Sequence, residues 1–109
     1  MVAACEQLRP CRELTLLVTV TFPGAIAAAD ALELDVSIDA AAPKTNAFMR
    51  TPGPTSGTVE IDFPNGYPEG HTVTLTCTAT QSGALVGTGT ATLVLPPTCA
   101  TVPLTLAPP

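Results

Sequence analysis

The chain lacks most of the residues that usually fill a protein core with large rings. Its 109 residues include no Trp, three Phe and one Tyr. The interior must therefore be built mainly from Val, Leu, Ile and Ala, each of which buries less area than an aromatic ring. A chain of this length has room for one domain of ordinary size.

Charge is also scarce, and positive charge is the scarcest. Charged residues make up 12% of the chain, with four Lys and Arg against nine Asp and Glu and a net charge of −5. Nucleic acid and anionic lipid both need a basic surface, so this balance argues against binding to either. Low charge combined with eighteen threonines suggests an exported protein.

Segments that target or anchor a chain are absent or incomplete. No run of about 18 apolar residues occurs, so the sequence predicts no transmembrane segment. No charged segment followed by an apolar one precedes Cys5, so no complete signal peptide is recognised. The stretch Val2-Ala3-Ala4-Cys5 nevertheless resembles the lipobox of bacterial lipoproteins. This resemblance implies a lipid anchor on Cys5, in a chain from which the signal peptide has been removed.

The four cysteines form an even set, which in a short exported chain predicts two disulfides. They are Cys5, Cys11, Cys77 and Cys99. There is no C-x-x-C pair, and the single His71 has no zinc-ligand spacing to any cysteine, so zinc is the weaker alternative. A lipidated Cys5 would leave three cysteines, and the even count favours four paired ones.

Three pairings of these cysteines are open. If the last three strands form a consecutive meander, Cys77 and Cys99 lie roughly 20 Å apart, whereas a disulfide needs Cα atoms within about 7 Å. Cys11 and Cys99 each stand three residues before an inward position, Leu14 and Val102 respectively. First and last strands lying parallel would bring them together, so we expect Cys11–Cys99 with Cys5–Cys77.

From residue 13 onward, aliphatic and polar residues alternate with a period of two, which is typical of half-buried strands. Turn residues separate seven such segments, so we predict an N-terminal arm over residues 1–12 and an all-β domain over residues 13–109. The domain is expected to be an antiparallel, two-sheet, immunoglobulin-like sandwich. The predicted inward residues are Leu14, Leu16, Val18, Val20, Phe22, Leu32, Leu34, Val36, Ile38, Phe48, Val59, Ile61, Phe63, Val73, Leu75, Cys77, Ala79, Gly87, Gly89, Ala91, Leu93, Leu95, Ala100, Val102, Leu104 and Leu106.

Several local features refine this prediction. The Ala-rich residues 25–31 are expected to form a loop rather than a helical turn. Gln81-Ser82-Gly83 indicates a tight hairpin, and the glycines of the next strand indicate a bulge or a close sheet contact. Pro103 indicates that the last strand lies at a sheet edge.

The stretch 58–95 resembles the later strands of immunoglobulin-like and fibronectin type III-like domains. The resemblance rests on Thr58-Val59-Glu60-Ile61, Gly66-Tyr67-Pro68-Glu69-Gly70, His71-Thr72-Val73-Thr74-Leu75 and the Gly83 hairpin. The segment from residue 87 to 106 is similar to small sandwich domains of exported bacterial lipoproteins. The resemblance implies a role in adhesion, spacing or binding at the cell surface.

No catalytic constellation is evident, so we expect a protein that is not an enzyme and needs no cofactor. His71 is interpreted as a solvated residue, since Ser37, Ser56 and Ser82 lack a nucleophile-elbow context. Glu33, Asp35 and Asp39 are weak candidates for binding calcium. Their outer strand face is more simply read as a solvated acidic surface.

Three functions are consistent with these sequence features. The leading hypothesis is an exported, non-enzymatic module for binding, adhesion or spacing, with a protein partner. The first alternative is a subunit of an extracellular filament or surface layer that self-associates, supported by uncharged threonine rows over residues 72–80 and 88–92. The second alternative is a small secreted hydrolase, which ranks far behind.

Overall fold

The computed structural model describes residues 11–109 and is built from two β-sheets. The prediction of an all-β, two-sheet fold with seven strands is confirmed. The strands are β1 Thr15–Thr21, β2 Ala31–Ile38, β3 Lys44–Met49, β4 Ser56–Asp62, β5 Thr72–Gln81, β6 Ala84–Val94 and β7 Ala100–Thr105.

The three-stranded sheet has the order β4-β1-β7, and the four-stranded sheet has the order β3-β2-β5-β6. All pairings are antiparallel except that of β1 with β7, which is parallel, with Val18 opposite Val102. The expected fully antiparallel arrangement therefore needs one correction. The chain leaves β6 in one sheet and crosses to the other, so β5, β6 and β7 do not form the consecutive meander considered from the sequence.

The core lies between the sheets and contains the aliphatic residues that the alternation predicted. Leu16, Val18, Leu75 and Val73 are fully buried, and Phe22 is the largest buried side chain. Thr15 is the one buried polar residue of the described chain, and its hydroxyl donates to the carbonyl of Arg12.

The inward assignment of Leu14 is wrong, because this residue precedes the strand instead of beginning it. Its side chain is 57% exposed and its φ is 64°. Its N–H donates to the carbonyl of Thr98, which also has a positive φ. Leu14 and Thr98, both with a left-handed backbone, lie just before β1 and β7. The alternation of inward and outward side chains starts only after them.

The expected loop over residues 25–31 is also corrected, since Gly24–Ala28 forms a short 3₁₀ helix. Ile26 is buried in the core, and its N–H donates to the carbonyl of Pro23. The turn places both Ile26 and Ala29 of this Ala-rich segment in the core.

The hairpin and the glycine predictions are both confirmed. Ser82 and Gly83 form a two-residue turn with φ values of 51° and 85°, the positive values that a tight hairpin needs. The β5/β6 register shifts at Ala79/Thr80, which is the predicted bulge. Gly89 also lies in close contact with the opposite sheet, since a Cβ there would be 2.7 Å from the Thr105 carbonyl oxygen. β7, which carries Pro103, is an edge strand as expected.

Candidate functional site

The two lateral sides of the sandwich differ. On one side β6 is joined to the chain after β7, because Thr88 and Ala107 each donate an N–H to the other's carbonyl at 2.9 Å. On the opposite side β3 and β4 end their sheets, and within residues 11–109 no further strand pairs with either. We call this second side, formed by β3 and β4, the open side.

A groove of about 350 Å³ lies between the two strands of the open side. Its apolar lining includes Val36, Ile61 and Phe63. A second groove of about 200 Å³ lies farther along the same strands, and Phe48 lines both of them. The open side therefore offers a long apolar surface beside two free strand edges.

The register of β3 on β2 decides which side chains face this groove. Lys44 lies opposite Val36, and Phe48 lies opposite Leu32, so these β3 residues share the inward face of the sheet. Asn46, between them, shares that face. Lys44 is exposed at the groove and forms no ion pair with any carboxylate in the described part of the chain.

The outer face of β4 carries an ion-pair network that the sequence did not predict. Arg12 Nη2 lies 2.9 Å from Glu60 and 2.7 Å from Asp62. The hydrogen bond from Arg12 lowers the pKa of Glu60, and the same hydrogen bond raises the pKa of Arg12. Arg12 therefore fixes the segment before β1 against the edge strand and occupies both carboxylates.

The predicted Cys11–Cys99 disulfide is present in the structure, with a Cα–Cα distance of 5.9 Å. The parallel pairing of β1 with β7 brings the two residues together, as proposed from the sequence, although Leu14 is not the inward marker assumed there. Cys77 does not pair with Cys99, but the reason differs from the predicted one. The chain crosses to the other sheet after β6, and Cys99 is bonded to Cys11.

Cys77 lies on the inward face of β5 and is 1% exposed. Burial raises the pKa of its thiol to about 11, and it has no disulfide partner among residues 11–109. Cys5 lies outside the described residues, so both its pairing with Cys77 and its lipidation stay predictions.

His71 is brought next to one predicted site residue, Asp39, and not next to a nucleophile. Its Nδ1 lies 2.5 Å from a carboxylate oxygen of Asp39, whose other oxygen accepts the backbone N–H of Thr72 at 3.1 Å. The hydrogen bond from His71 lowers the pKa of Asp39, and the Thr72 bond acts in the same direction. Both side chains are about half exposed, so the pair links the end of β2 to the start of β5 at the surface.

The candidate serines do not extend this pair. Ser37 donates to the carbonyl of Ala41, Ser82 is in the β5/β6 turn, and Ser56 begins β4. In the described residues no hydroxyl or thiol group is hydrogen-bonded to His71.

The calcium candidates are spread along β2 and the turn that follows it. Glu33 and Asp35 point outward from β2, and Asp35 accepts the hydroxyl of Thr45 at 2.7 Å. Asp39 is engaged by His71 and Thr72. Within residues 11–109, no three His, Cys, Asp or Glu side chains converge in a way that could hold a metal ion.

The threonine rows lie on the outer face of the four-stranded sheet. Thr74, Thr76 and Thr78 of β5 stand directly opposite Thr92, Thr90 and Thr88 of β6. The neighbouring β2 places Glu33 and Asp35 on the same face. The outer face of the sheet is therefore polar and uncharged over β5 and β6, and acidic over β2.

Arg50 is a structural residue that sequence reasoning missed. Its guanidinium donates to the carbonyls of Ala27 at 2.9 Å, Ala29 at 2.7 Å and Pro54 at 2.6 Å. It also lies 3.9 Å from the centre of the Phe22 ring. Arg50 thereby fixes the 3₁₀ helix and the loop before β4 at one end of the open side. The only sequence signal for this role was the position of Arg50 directly before a Pro/Gly-rich loop.

No helix in residues 11–109 has the length and apolar character needed to cross a membrane. Comparisons of the chain with protein-family models, with curated protein sequences and with solved structures found no match.

Proposed function

We propose that this chain is an exported, non-enzymatic module for binding or adhesion, and that it binds an extended segment of a partner protein along its open side. The observation that carries this proposal is the open side itself. There, two unpaired strand edges border an apolar groove, while the other side of the sandwich is joined by the Thr88–Ala107 bridge.

The strand order supports an immunoglobulin-like or fibronectin type III-like assignment. Immunoglobulin domains place strands A, B, E and D in one sheet and C, F and G in the other, with C′ added beside C in variable domains. In those terms β1 and β4 correspond to B and E, and β3-β2-β5-β6 corresponds to C′-C-F-G. β7 then occupies the position of strand A beside strand B, although it follows the other strands in the sequence and strand A precedes them.

The disulfide supports an extracellular location. Disulfides persist in oxidising compartments and are rare where glutathione keeps thiols reduced. Cys11–Cys99 closes nearly the whole described chain, with a sequence separation of 88. Such a bond is most valuable in a small domain whose core contains few aromatic rings.

Strand addition is the binding mode that suits two free edges. An extended peptide satisfies the N–H and C=O groups of an edge strand, and alternate side chains enter the neighbouring pockets. On the open side, two apolar residues at alternate positions of β4 line the grooves, Ile61 the larger one and Val59 the second one. A bound strand would therefore gain main-chain hydrogen bonds and burial of apolar side chains together.

Titration of the ¹⁵N-labelled chain with a soluble nine-residue peptide, Thr-Val-Ser-Val-Thr-Gln-Ser-Val-Thr, tests this proposal by NMR. We expect shift changes and slowed amide exchange confined to β3 and β4. Val59→Lys, which places a charge in the groove, should abolish them, whereas Thr58→Lys on the outer face should not. Absence of any change up to about 1 mM peptide, or changes that survive Val59→Lys, would refute the proposed function.

A further inference from the structure

We infer that the open side selects a partner strand that carries a carboxylate, and that Lys44 is the residue that makes this selection. The inference rests on the proposed function and specifies the chemistry of its ligand.

The register of β3 on β2 determines the face of the sheet from which the Lys44 side chain extends. Lys44 is the first residue of β3 and pairs with Val36 of β2, which is buried. The two side chains therefore leave the same face of the sheet, toward the space between the sheets. Lys44 lines the larger groove together with Ile61 of the opposite edge strand.

The surroundings of Lys44 leave its ammonium group unpaired among the described residues. On the opposite edge strand β4, Glu60 and Asp62 border the same groove, although their side chains lie on the outer face of that strand. Both are bound by Arg12 instead. A ligand strand that enters the groove would exclude water from this ammonium group, so a strand without a carboxylate would leave a charge poorly solvated.

The same residue argues against a second copy as the occupant. β3 carries no Asp or Glu, so pairing β3 with β3 of another copy would offer Lys44 no carboxylate. Pairing with β4 of another copy would offer Glu60 and Asp62, which Arg12 already occupies. An inward-pointing charge on an edge strand is a recognised barrier to edge-to-edge association. The occupant we propose is therefore an acidic strand of a different protein.

Three peptides that differ at one inward position test this inference: Thr-Val-Ser-Val-Thr-X-Ser-Val-Thr, where X is Glu, Gln or Lys. We expect the Glu peptide to bind about fivefold more tightly than the Gln peptide, as befits a partly screened ion pair, and the Lys peptide to bind most weakly. Raising the salt concentration should reduce the ratio.

Two variants of the chain assign the selection to Lys44. Lys44→Met should bind the Glu and Gln peptides equally. The double variant Lys44→Met/Thr45→Lys keeps the net charge and moves the ammonium group to the outer face, beside Asp35, so it should also fail to discriminate. A thermal melt of each variant confirms that the domain is folded.

The outcomes separate the two proposals. If all three peptides bind the wild-type chain equally, the proposed function stands and the selection by charge is refuted. If the discrimination persists in Lys44→Met, Lys44 is not its source and the inference is refuted. If no peptide binds but Lys44→Met dimerises in light scattering, Lys44 serves only as a barrier to self-association, and both proposals are overturned.

Discussion

Substitution of Gly89 offers a quantitative test of the close approach between β6 and β7, on the side of the sandwich opposite the open side. Gly89 lies in β6 opposite Cys77, where β6 approaches β7 of the other sheet. A Cβ at this position would lie 2.7 Å from the Thr105 carbonyl oxygen and 2.9 Å from Leu104 Cδ2. The first contact is with backbone, so Gly89→Ala can be accommodated only by moving β7 away from β6.

Such overpacking costs about 1–3 kcal/mol, and the reduced freedom of the unfolded chain returns about 0.4–1 kcal/mol. We therefore expect Gly89→Ala to lower the free energy of unfolding by about 1–2 kcal/mol. Gly87→Ala is the matched control, because its Cβ would meet only side-chain atoms of Ile26, the nearest at 2.9 Å.

Urea unfolding monitored by circular dichroism measures both variants. Gly87→Ala should cost clearly less, and combining it with Ile26→Val should cost less than the sum of the two single changes. A Gly89→Ala variant that is as stable as wild type, or less affected than Gly87→Ala, would show that the close β6/β7 approach does not limit the fold.

Three further predictions concern the charged and disulfide contacts. Arg50→Ala should destabilise the domain by about 2–4 kcal/mol, since three carbonyl hydrogen bonds and a ring contact are lost, and Arg50→Lys should recover little in the same urea assay. Cys99→Ser should cost about 4–5 kcal/mol from the 88-residue separation in the chain-entropy model, and adding Cys11→Ser should cost almost nothing more. The pKa of Asp39 is lowered in the folded chain, so its contribution to stability is present above about pH 4 and lost as the pH falls through the lowered folded pKa. Carboxyl ¹³C titration should find its midpoint below the ordinary value, and His71→Gln should raise it; an unchanged midpoint would contradict the contact.

The strands and their inward faces could be predicted from sequence because each rests on local alternation. The pattern Val73, Leu75, Cys77, Ala79 against outward threonines is buried as the period of two requires. Local patterning also identified the Ser82-Gly83 turn and the restricted glycines of β6. These features depend on residues close together in the chain, where the sequence signal is strongest.

Features that depend on distant partners could not be predicted in the same way. Arg12 was assigned to an N-terminal arm, although its partner Glu60 lies 48 residues away. Arg50 bonds to carbonyl groups, which carry no sequence signal at all. Leu14 continues the alternation in the sequence, but its left-handed backbone means that β1 begins one residue later, at Thr15.

The open side also depends on residues that are distant in the sequence, because it results from the position of β7 in the three-stranded sheet. The chain leaves β6 and pairs β7 with β1, on the flank of the three-stranded sheet away from β4. This choice brings Ala107 to Thr88 and joins one side of the sandwich. Within the described chain, no strand then pairs with the outer edges of β3 and β4, because the remaining edge strands, β6 and β7, lie at the opposite ends of their sheets. The proposed binding therefore rests on an apolar groove and an inward Lys44 on these two strands, which the topology at the opposite side leaves uncovered.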